Sequence, residues 1–420
     1  MSRFALRNGE LFAEDVPLSR IAAEVGTPVY VYSRRQLEDN ADALRYGLGI
    51  LPRVHLAYAI KANPNLAVVN VLAKCGYGAD IVSGGEMARA LAAGMAPDDI
   101  VFSGVGKTVA ELDAALAARV GQFNIEIEEE GAILGDLAVA RGTRAQAVLR
   151  VNPDVDAGTH AKISTGKAEN KFGVAISDAP AIYARLAALP GLAMRGVAAH
   201  IGSQIADLAP LETTYRRIGA LVAELRAAGH DVTHVDLGGG FGVAYRPGEV
   251  YPTPREIGAM VARATAGWDV TLMFEPGRVI AGDAGLLLTQ VIWVKPGTGH
   301  PWVIVDAAMN DLARPALYDA HHEFGAVRPS GTRMTANLAG PVCESGDTFA
   351  KAREIDAVVR GDLAVLYTAG AYGATMASTY NSRALVPEVL VDGDRYAIVA
   401  DRIGADTIMA AERVPEWLTA

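Results

Sequence analysis

Between residues 55 and 275 the chain repeats one pattern, a short β-rich run followed by an alanine- and leucine-rich stretch of helical period. The β-rich runs are HLAYAI (55–60), ADIVS (79–83), IVFSG (100–104), FNIEI (123–127), AVLRV (147–151), GVAAHI (196–201), HVDLG (234–238) and TLMFE (271–275). The text between them, such as GGEMARALAAGM and TYRRIGALVAELRAAGH, places apolar residues at i, i+3 and i+4, as amphipathic helices do. Strands separated by helices pair in parallel through right-handed crossovers. Eight such units predict an α/β chain whose strands close into a (β/α)8 barrel, although an open doubly wound sheet would give a similar string. A further strand, PVYVY (28–32), precedes the eight and need not belong to the ring.

After about residue 280 the rhythm changes. GLLLTQVIWVK, PWVIVDA, RMTANLAGPVC, LAVLYTAGAY and PEVLVDGDRYAIV are strands with turn signals between them and little room for helices. The expected organisation is a barrel over 28–280, then a mostly antiparallel β-sandwich or β-barrel-like domain. That domain takes in 281–420 and the N-terminal 1–27, which carries RNGELFAED. A net charge of −10 with no basic cluster interleaved with aromatics argues against a nucleic-acid partner. MSRFALRNGELFAED has no apolar core of a secretory signal, and AGLLLTQVIWV is well short of the ~20 apolar residues a membrane helix needs. Two cysteines, Cys75 and Cys343, give no disulfide framework and fit a reducing cytoplasm.

In a barrel of this kind functional groups gather at the carboxyl ends of the strands. Lys61 follows the first run, in AYAIKANPN, and Asp80 falls inside the second. Arg150, His200 and Glu275 end the fifth, sixth and eighth, and Gly238-Gly239-Gly240 follows the seventh. Each has a bland reading: a lysine snorkelling from a strand end, an arginine at a helix cap, a satisfied core histidine, a plain glycine turn. Lys61 also suits a dry pocket in which an amine forms a Schiff base with a carbonyl. The coincidence of all these groups on one rim favours the functional reading. LGGGFG (237–242) suits phosphate, because glycine lets backbone N–H groups approach an anion, yet it does not match the dinucleotide pattern. SGVGKT (103–108) lacks the leading glycine of a phosphate-binding Walker loop, since position 101 is Val101. HHE (321–323) has no companion ligands at a metal spacing and reads as a solvated or structural turn; no metal is expected. FEPGR (274–278) is either a surface ion pair or a site in which Glu275 meets a ring nitrogen and Arg278 grips an anion.

YAIKAN, HIGSQ (200–204), GGGFG, EPGR, RPALY (314–318), GPVCESGD (340–347) and GAYG (370–373) together resemble the pyridoxal-phosphate-dependent decarboxylases of alanine-racemase-like fold, fold type III. ISTGKAENKFG (163–173) and YNSR (380–383) are similar to that family as well, and the match spans nearly the whole chain in order. Within the family the resemblance is to the branch acting on meso-2,6-diaminopimelate. It implies a carboxy-lyase (EC 4.1.1.20) that gives L-lysine and carbon dioxide, the last step of bacterial lysine biosynthesis. It also implies pyridoxal 5′-phosphate as cofactor and a homodimer with active sites at the subunit interface.

Carried over motif by motif, Lys61 would be joined covalently to the cofactor, His200 would stack on its ring, and Glu275 would keep the ring nitrogen protonated. Asp80, Ser203, Gly239, Gly240, Gly277, Arg278 and Tyr372 would complete the cofactor site. Arg278, Arg314, Tyr318, Glu344 and Tyr372 would bind substrate. Cys343, from the partner chain, would return the proton, and Glu344 would face the remote amino group.

The chemistry agrees. Loss of carbon dioxide leaves a carbanion, and a protonated pyridine is the sink that makes it tolerable. A carboxylate beside the nitrogen favours that protonated form. A thiol serves as general acid when its pKa lies near the working pH, whereas an ordinary free cysteine is buried and inert. A substrate with a remote ammonium and carboxylate needs one anion and one cation, which Glu344 and Arg314 supply in kind. Decarboxylases of ornithine, arginine, carboxynorspermidine or a carrier-bound glutamyl group share the fold, but a substrate without the distal carboxylate would leave Arg314 unpaired. A non-catalytic regulatory homologue would be expected to lack Lys61, Glu275 or Cys343, and all three are present. The tail DRIGADTIMAAERVPEWLTA departs from the family's usual ending.

Overall fold

All eight runs form one closed ring in a computed structural model, which describes residues 2–158, 165–166 and 169–418. The ring strands are Val54–Ala59, Gly78–Ile81, Ile100–Phe102, Gln122–Ile125, Ala145–Asn152, Leu192–Ala198, His234–Asp236 and Thr271–Phe274. Each pairs in parallel with the next. Leu272, Met273 and Phe274 then pair with Val54, His55 and Leu56, which closes the ring and removes the open-sheet alternative. A two-residue strand, Val174–Ala175, attaches outside it.

Local chemistry sets the crossovers. Helices Val109–Ala118 and Pro254–Ala264 each open with a reciprocal cap, Thr108 with Glu111 and Thr253 with Glu256, so orphan N–H groups of the first turn find acceptors. Helix Gly84–Ala92 opens on Ser83, whose hydroxyl accepts from the Glu86 N–H. Glycine permits one close helix crossing: a Cβ at Gly258 would lie 2.0 Å from the Gly47 carbonyl oxygen. Ring strands alternate faces. Ile125 turns outward toward helix Glu128–Ala140, whose Gly131 has no room for a methyl, while Gln122 and Asn124 turn inward and bond to each other.

The chain divides into two compact units, Leu37–Ala244 with Gly248–Ile280, and Met1–Gln36 with Tyr245–Pro247 and Ala281–Ala420. The first unit opens at Leu37, so residues 28–36, which the expected barrel start at 28 would include, lie in the second. Val29–Ser33 pairs antiparallel with Gly285–Lys295 and parallel with Glu388–Asp392, so it is an interior strand of the β unit. The reason is packing. Val29 and Val31 share one face, where they join Leu286, Leu288, Val389 and Val391 in a single apolar core with Leu11, Leu18 and Ile21. The main sheet of this unit is mostly antiparallel. The N-terminal segment forms a small sheet of its own in this unit, with Asn8 and Gly9 both at positive φ in the turn and the Leu11 N–H donating to the Val327 carbonyl.

Replacing Gly258 by alanine is expected to lower stability by about 1–3 kcal/mol through overpacking against Gly47. Urea unfolding reads this directly, and an unchanged midpoint would contradict the close crossing.

Candidate active site

Lys61 lies in the turn Ile60–Ala62 that follows the first ring strand. Its Nζ is 2.5 Å from Asp80 Oδ2, with the Asp80 side chain fully buried and that of Lys61 38% exposed. The ammonium is therefore neither simply snorkelling nor sealed in an apolar pocket; it is paired. The other oxygen, Asp80 Oδ1, is buried without a hydrogen-bond partner. Glu275, at the end of the last ring strand, accepts at Oε1 from Ser103 Oγ (3.1 Å) and Asn124 Nδ2 (3.3 Å). The same Asn124 nitrogen donates to Asp236 Oδ2 at 3.0 Å, and the Gly238 N–H donates to Asp236 Oδ1 at 2.9 Å. Burial, and then the charges of Asp236 and Asp80, push the Glu275 carboxyl well above its ordinary range against the pull of Lys61. Burial raises Asp236 as well. Three buried acids thus lie together, with Lys61 paired to Asp80 and pulling on Glu275.

A glycine cradle lies beside them. A Cβ at Gly239 would fall 2.2 Å from the Glu275 carbonyl, and one at Gly240, whose φ is +93°, would fall 2.5 Å from the Gly202 carbonyl. No other residue fits there. The Gly239 N–H donates to His200 Nδ1 at 3.1 Å. Burial, then Arg150 and Lys61, hold the His200 pKa down at about 3, so the ring is neutral with Nδ1 as acceptor. Arg278 is buried and donates through Nη2 to Ser203 Oγ at 3.0 Å. A Cβ at Gly277 would press on Ala59 and Ala62 at 3.1 and 3.0 Å. Arg150 is ion-paired with Glu126 at 2.6 Å, and Glu126 also accepts from the Gly173 N–H. Ile163, Ser164, Lys167 and Ala168 of the ISTGKAENKFG motif lie outside the described residues. The Walker-like decoy is structural: the Lys107 side chain is fully buried, ion-paired with Glu130 and donating to the carbonyls of Gly104 and Asn124.

The β unit carries the other candidates. Arg314 opens helix Arg314–Tyr318; its guanidinium carbon is 4.4 Å from the centre of the Tyr245 ring, and Nη1 is 2.9 Å from His322 Nε2. His322 Nδ1 is 2.9 Å from the Tyr367 carbonyl, an acceptor only. That contact places the ring proton on Nδ1 and turns the Nε2 lone pair toward the guanidinium. HHE is therefore no solvated turn at His322, which is 1% exposed. Cys343 and Glu344 stand on an exposed loop. Its stems are pinned by buried Asp347, which accepts from the N–H groups of Met309 and Val342, both at 2.7 Å. The Cys343 N–H donates to Asn381 Oδ1 at 3.0 Å, and the Tyr380 hydroxyl bonds the Glu344 carboxylate. Tyr318 and Tyr372 are half-buried, Tyr372 with φ +56°.

Lys61, Asp80, His200, Ser203, Gly239, Gly240, Glu275, Gly277 and Arg278 thus belong to the barrel unit, and Arg314, Tyr318, Cys343, Glu344 and Tyr372 to the β unit. Sequence reasoning did not single out Ser103, Asn124 or Asp236 as partners of Glu275. A signal existed, since Asn124 in FNIEI and Asp236 in HVDLG are polar residues inside otherwise apolar strands. His322 lies in HHE and Tyr380 and Asn381 in YNSR, motifs noted above without these roles, whereas Tyr245 had no comparable signal.

Residues 35–282 match the family model described as pyridoxal-dependent decarboxylase, pyridoxal binding domain. The chain is 49% identical to a diaminopimelate decarboxylase of Zymomonas mobilis over all of both chains. It is 50% identical to one of Pseudomonas fluorescens, over 98% of this chain and 99% of that one. Among solved structures it resembles the diaminopimelate decarboxylase of M. jannaschii, with TM-score 0.95 at 33% identity, covering 99% of this chain and 98% of that one.

The low His200 pKa makes stability depend on pH with a definite sign. The unfolded chain takes up the proton near 6.5 and the folded one only near 3, so stability falls as pH drops through that interval. In His200→Asn the slope of unfolding free energy between pH 6 and 4 should flatten by about one proton, ~1.4 kcal/mol per pH unit. An unaltered slope would mean that the folded ring titrates normally.

Proposed function

The chain belongs to the pyridoxal-dependent decarboxylases, within the diaminopimelate decarboxylases, and from that premise we propose that it converts meso-2,6-diaminopimelate to L-lysine and carbon dioxide with pyridoxal 5′-phosphate. The observation that carries this reading is the surplus of acid around Lys61. Asp80, Asp236 and Glu275 are all buried, and Asp80 keeps one oxygen unbonded. A cationic heterocycle is what such a site lacks. The residues fit the cofactor in a second respect, since a Cβ at Gly239 or Gly240 would collide with the Glu275 or Gly202 carbonyl, so this turn keeps its backbone open to the close approach of an anion.

Lys61 is then the residue that holds the cofactor covalently, with Asp80 fixing its ammonium before loading. His200 supplies a neutral flat face, and Glu275 keeps a proton on the ring nitrogen. The glycine turn, Ser203, Gly277 and Arg278 bind the phosphate end. When bound, the cofactor supplies the sink for the electron pair released as carbon dioxide departs. The chain's own groups do the rest. Arg314, with its fork oriented by His322 and Tyr245, binds the distal carboxylate. Tyr318 and Tyr372 line the substrate, and Glu344 takes the distal ammonium. Cys343 Sγ returns a proton to the α-carbon. Exposure of the Cys343–Glu344 loop in one chain supports a homodimer in which a second copy receives it. The two free thiols suit the reducing cytoplasm.

Carbon dioxide release measured in parallel with meso-diaminopimelate, L-lysine, L-ornithine and L-arginine should be confined to the first. Equal turnover of ornithine would overturn the substrate. Arg314→Ala should lower kcat/KM for diaminopimelate roughly a hundredfold or more while leaving cofactor affinity nearly intact. Mixing Lys61→Ala with Cys343→Ala protein should recover activity through hybrid dimers. No recovery despite demonstrated subunit exchange would show that each site is built from one chain.

A further inference from the structure

Barrels of this class fill their interiors with branched apolar side chains. This one runs a line of hydrogen bonds through it. Arg195 is the extra residue of a β-bulge between Met194 and Gly196, and its Nη2 donates to Gln122 Oε1 (3.1 Å) and to the Gly121 carbonyl (3.0 Å). Gln122 Nε2 donates to Asn124 Oδ1 at 2.8 Å. Asn124 Nδ2 donates to Ser103 Oγ and Asp236 Oδ2, both at 3.0 Å, and to Glu275 Oε1 at 3.3 Å, where Ser103 Oγ also donates. Gln122, Asn124, Asp236 and Glu275 are all buried.

The direction of every bond in this line is forced from one end. A guanidinium has donors and no acceptor, so Gln122 must turn its carbonyl oxygen toward Arg195. Its amide nitrogen then faces Asn124, which must answer with its own carbonyl oxygen. The Asn124 NH2 group is left pointing at the two acids. Building this with an arginine whose Nε is buried and unbonded costs stability that a leucine or valine would not. We propose that Arg195 and Gln122 are positioning residues whose fixed donor direction reinforces the one Asn124 amide orientation that donates to Glu275 and Asp236, and so helps to aim the Glu275 carboxylate at the cofactor nitrogen. This rests on the role given to Glu275 above.

Two substitutions at one position separate orientation from mere stability. Gln122→Leu removes the link but leaves the Asn124 NH2 drawn to the acids. Gln122→Glu keeps a partner for Arg195, yet presents an acceptor to Asn124, which must rotate and turn its carbonyl oxygen on Glu275 and Asp236. The expected result is a kcat about tenfold lower in Gln122→Glu than in Gln122→Leu, with KM little changed. Thermal stability should run the other way, the glutamate variant being the more stable because it keeps an acceptor for Arg195 and gains an ion pair with it. In 15N-labelled cofactor-free protein the Asn124 side-chain amide resonances should shift in Gln122→Glu and stay near the wild-type values in Gln122→Leu. Activity that follows stability, or resonances unmoved by glutamate, would overturn the proposal. If Gln122→Glu does not fold, Arg195→Met frees the far end of the line. It should then weaken pyridoxal 5′-phosphate binding, read by absorbance titration, about threefold, and an unchanged constant would count against the relay. A wild-type protein that neither binds pyridoxal 5′-phosphate nor releases carbon dioxide would sink the decarboxylase reading instead, and the resonance test would still decide the orientation.

Discussion

The contact between Lys61 and Asp80 sets the terms for the rest of the barrel site. One ammonium is matched directly to one carboxylate, while Asp236 and Glu275 sit buried nearby with amide and hydroxyl donors and, among the described residues, no ion-pair partner. Buried anions without counter-charge are costly, and proteins answer by holding on to a proton or by binding a cation. Burial and mutual repulsion already push Glu275 toward the protonated form. The site is therefore suited to a cationic ligand: a positive charge placed there would relieve the repulsion among these acids. Local instability of this sort is typical of functional sites, and ligand binding offsets it.

Much of this architecture was legible because its signals are local. Eight apolar runs separated by amphipathic stretches leave few ways to pair, and Lys61, His200, Gly238–Gly240 and Glu275 fall at strand ends wherever those strands are drawn. The start of the barrel was not legible. Val29–Ser33 is buried at every position, a pattern that suits a ring strand as well as the interior of another sheet. Only its partners, more than two hundred residues away in Gly285–Lys295 and Glu388–Asp392, decide the matter.

The same limit explains the missed side chains. His322 orients Arg314 only because the Tyr367 carbonyl occupies its other nitrogen, and Tyr245 reaches Arg314 from a short excursion of the chain into the β unit. Asn381 holds the Cys343 backbone from a left-handed turn whose geometry no residue pattern announces. Motifs mark the groups that do chemistry. The groups that aim them are chosen by tertiary contact, and their identities look ordinary in a string.

The polar line inside the ring also bears on how the strands are held in step. In a core of methyl groups, neighbouring strands displaced by one position would still find grease opposite grease. Here Gln122 and Asn124 alternate with Phe123 and Ile125 on a single strand. Slipping it by one residue would thrust two large apolar side chains inward and carry both amides out among the helices, orphaning Arg195 and two carboxylic acids in one move. The hydrogen bonds thus act as a ratchet on the register, so the alignment of the catalytic rim is set from within the barrel.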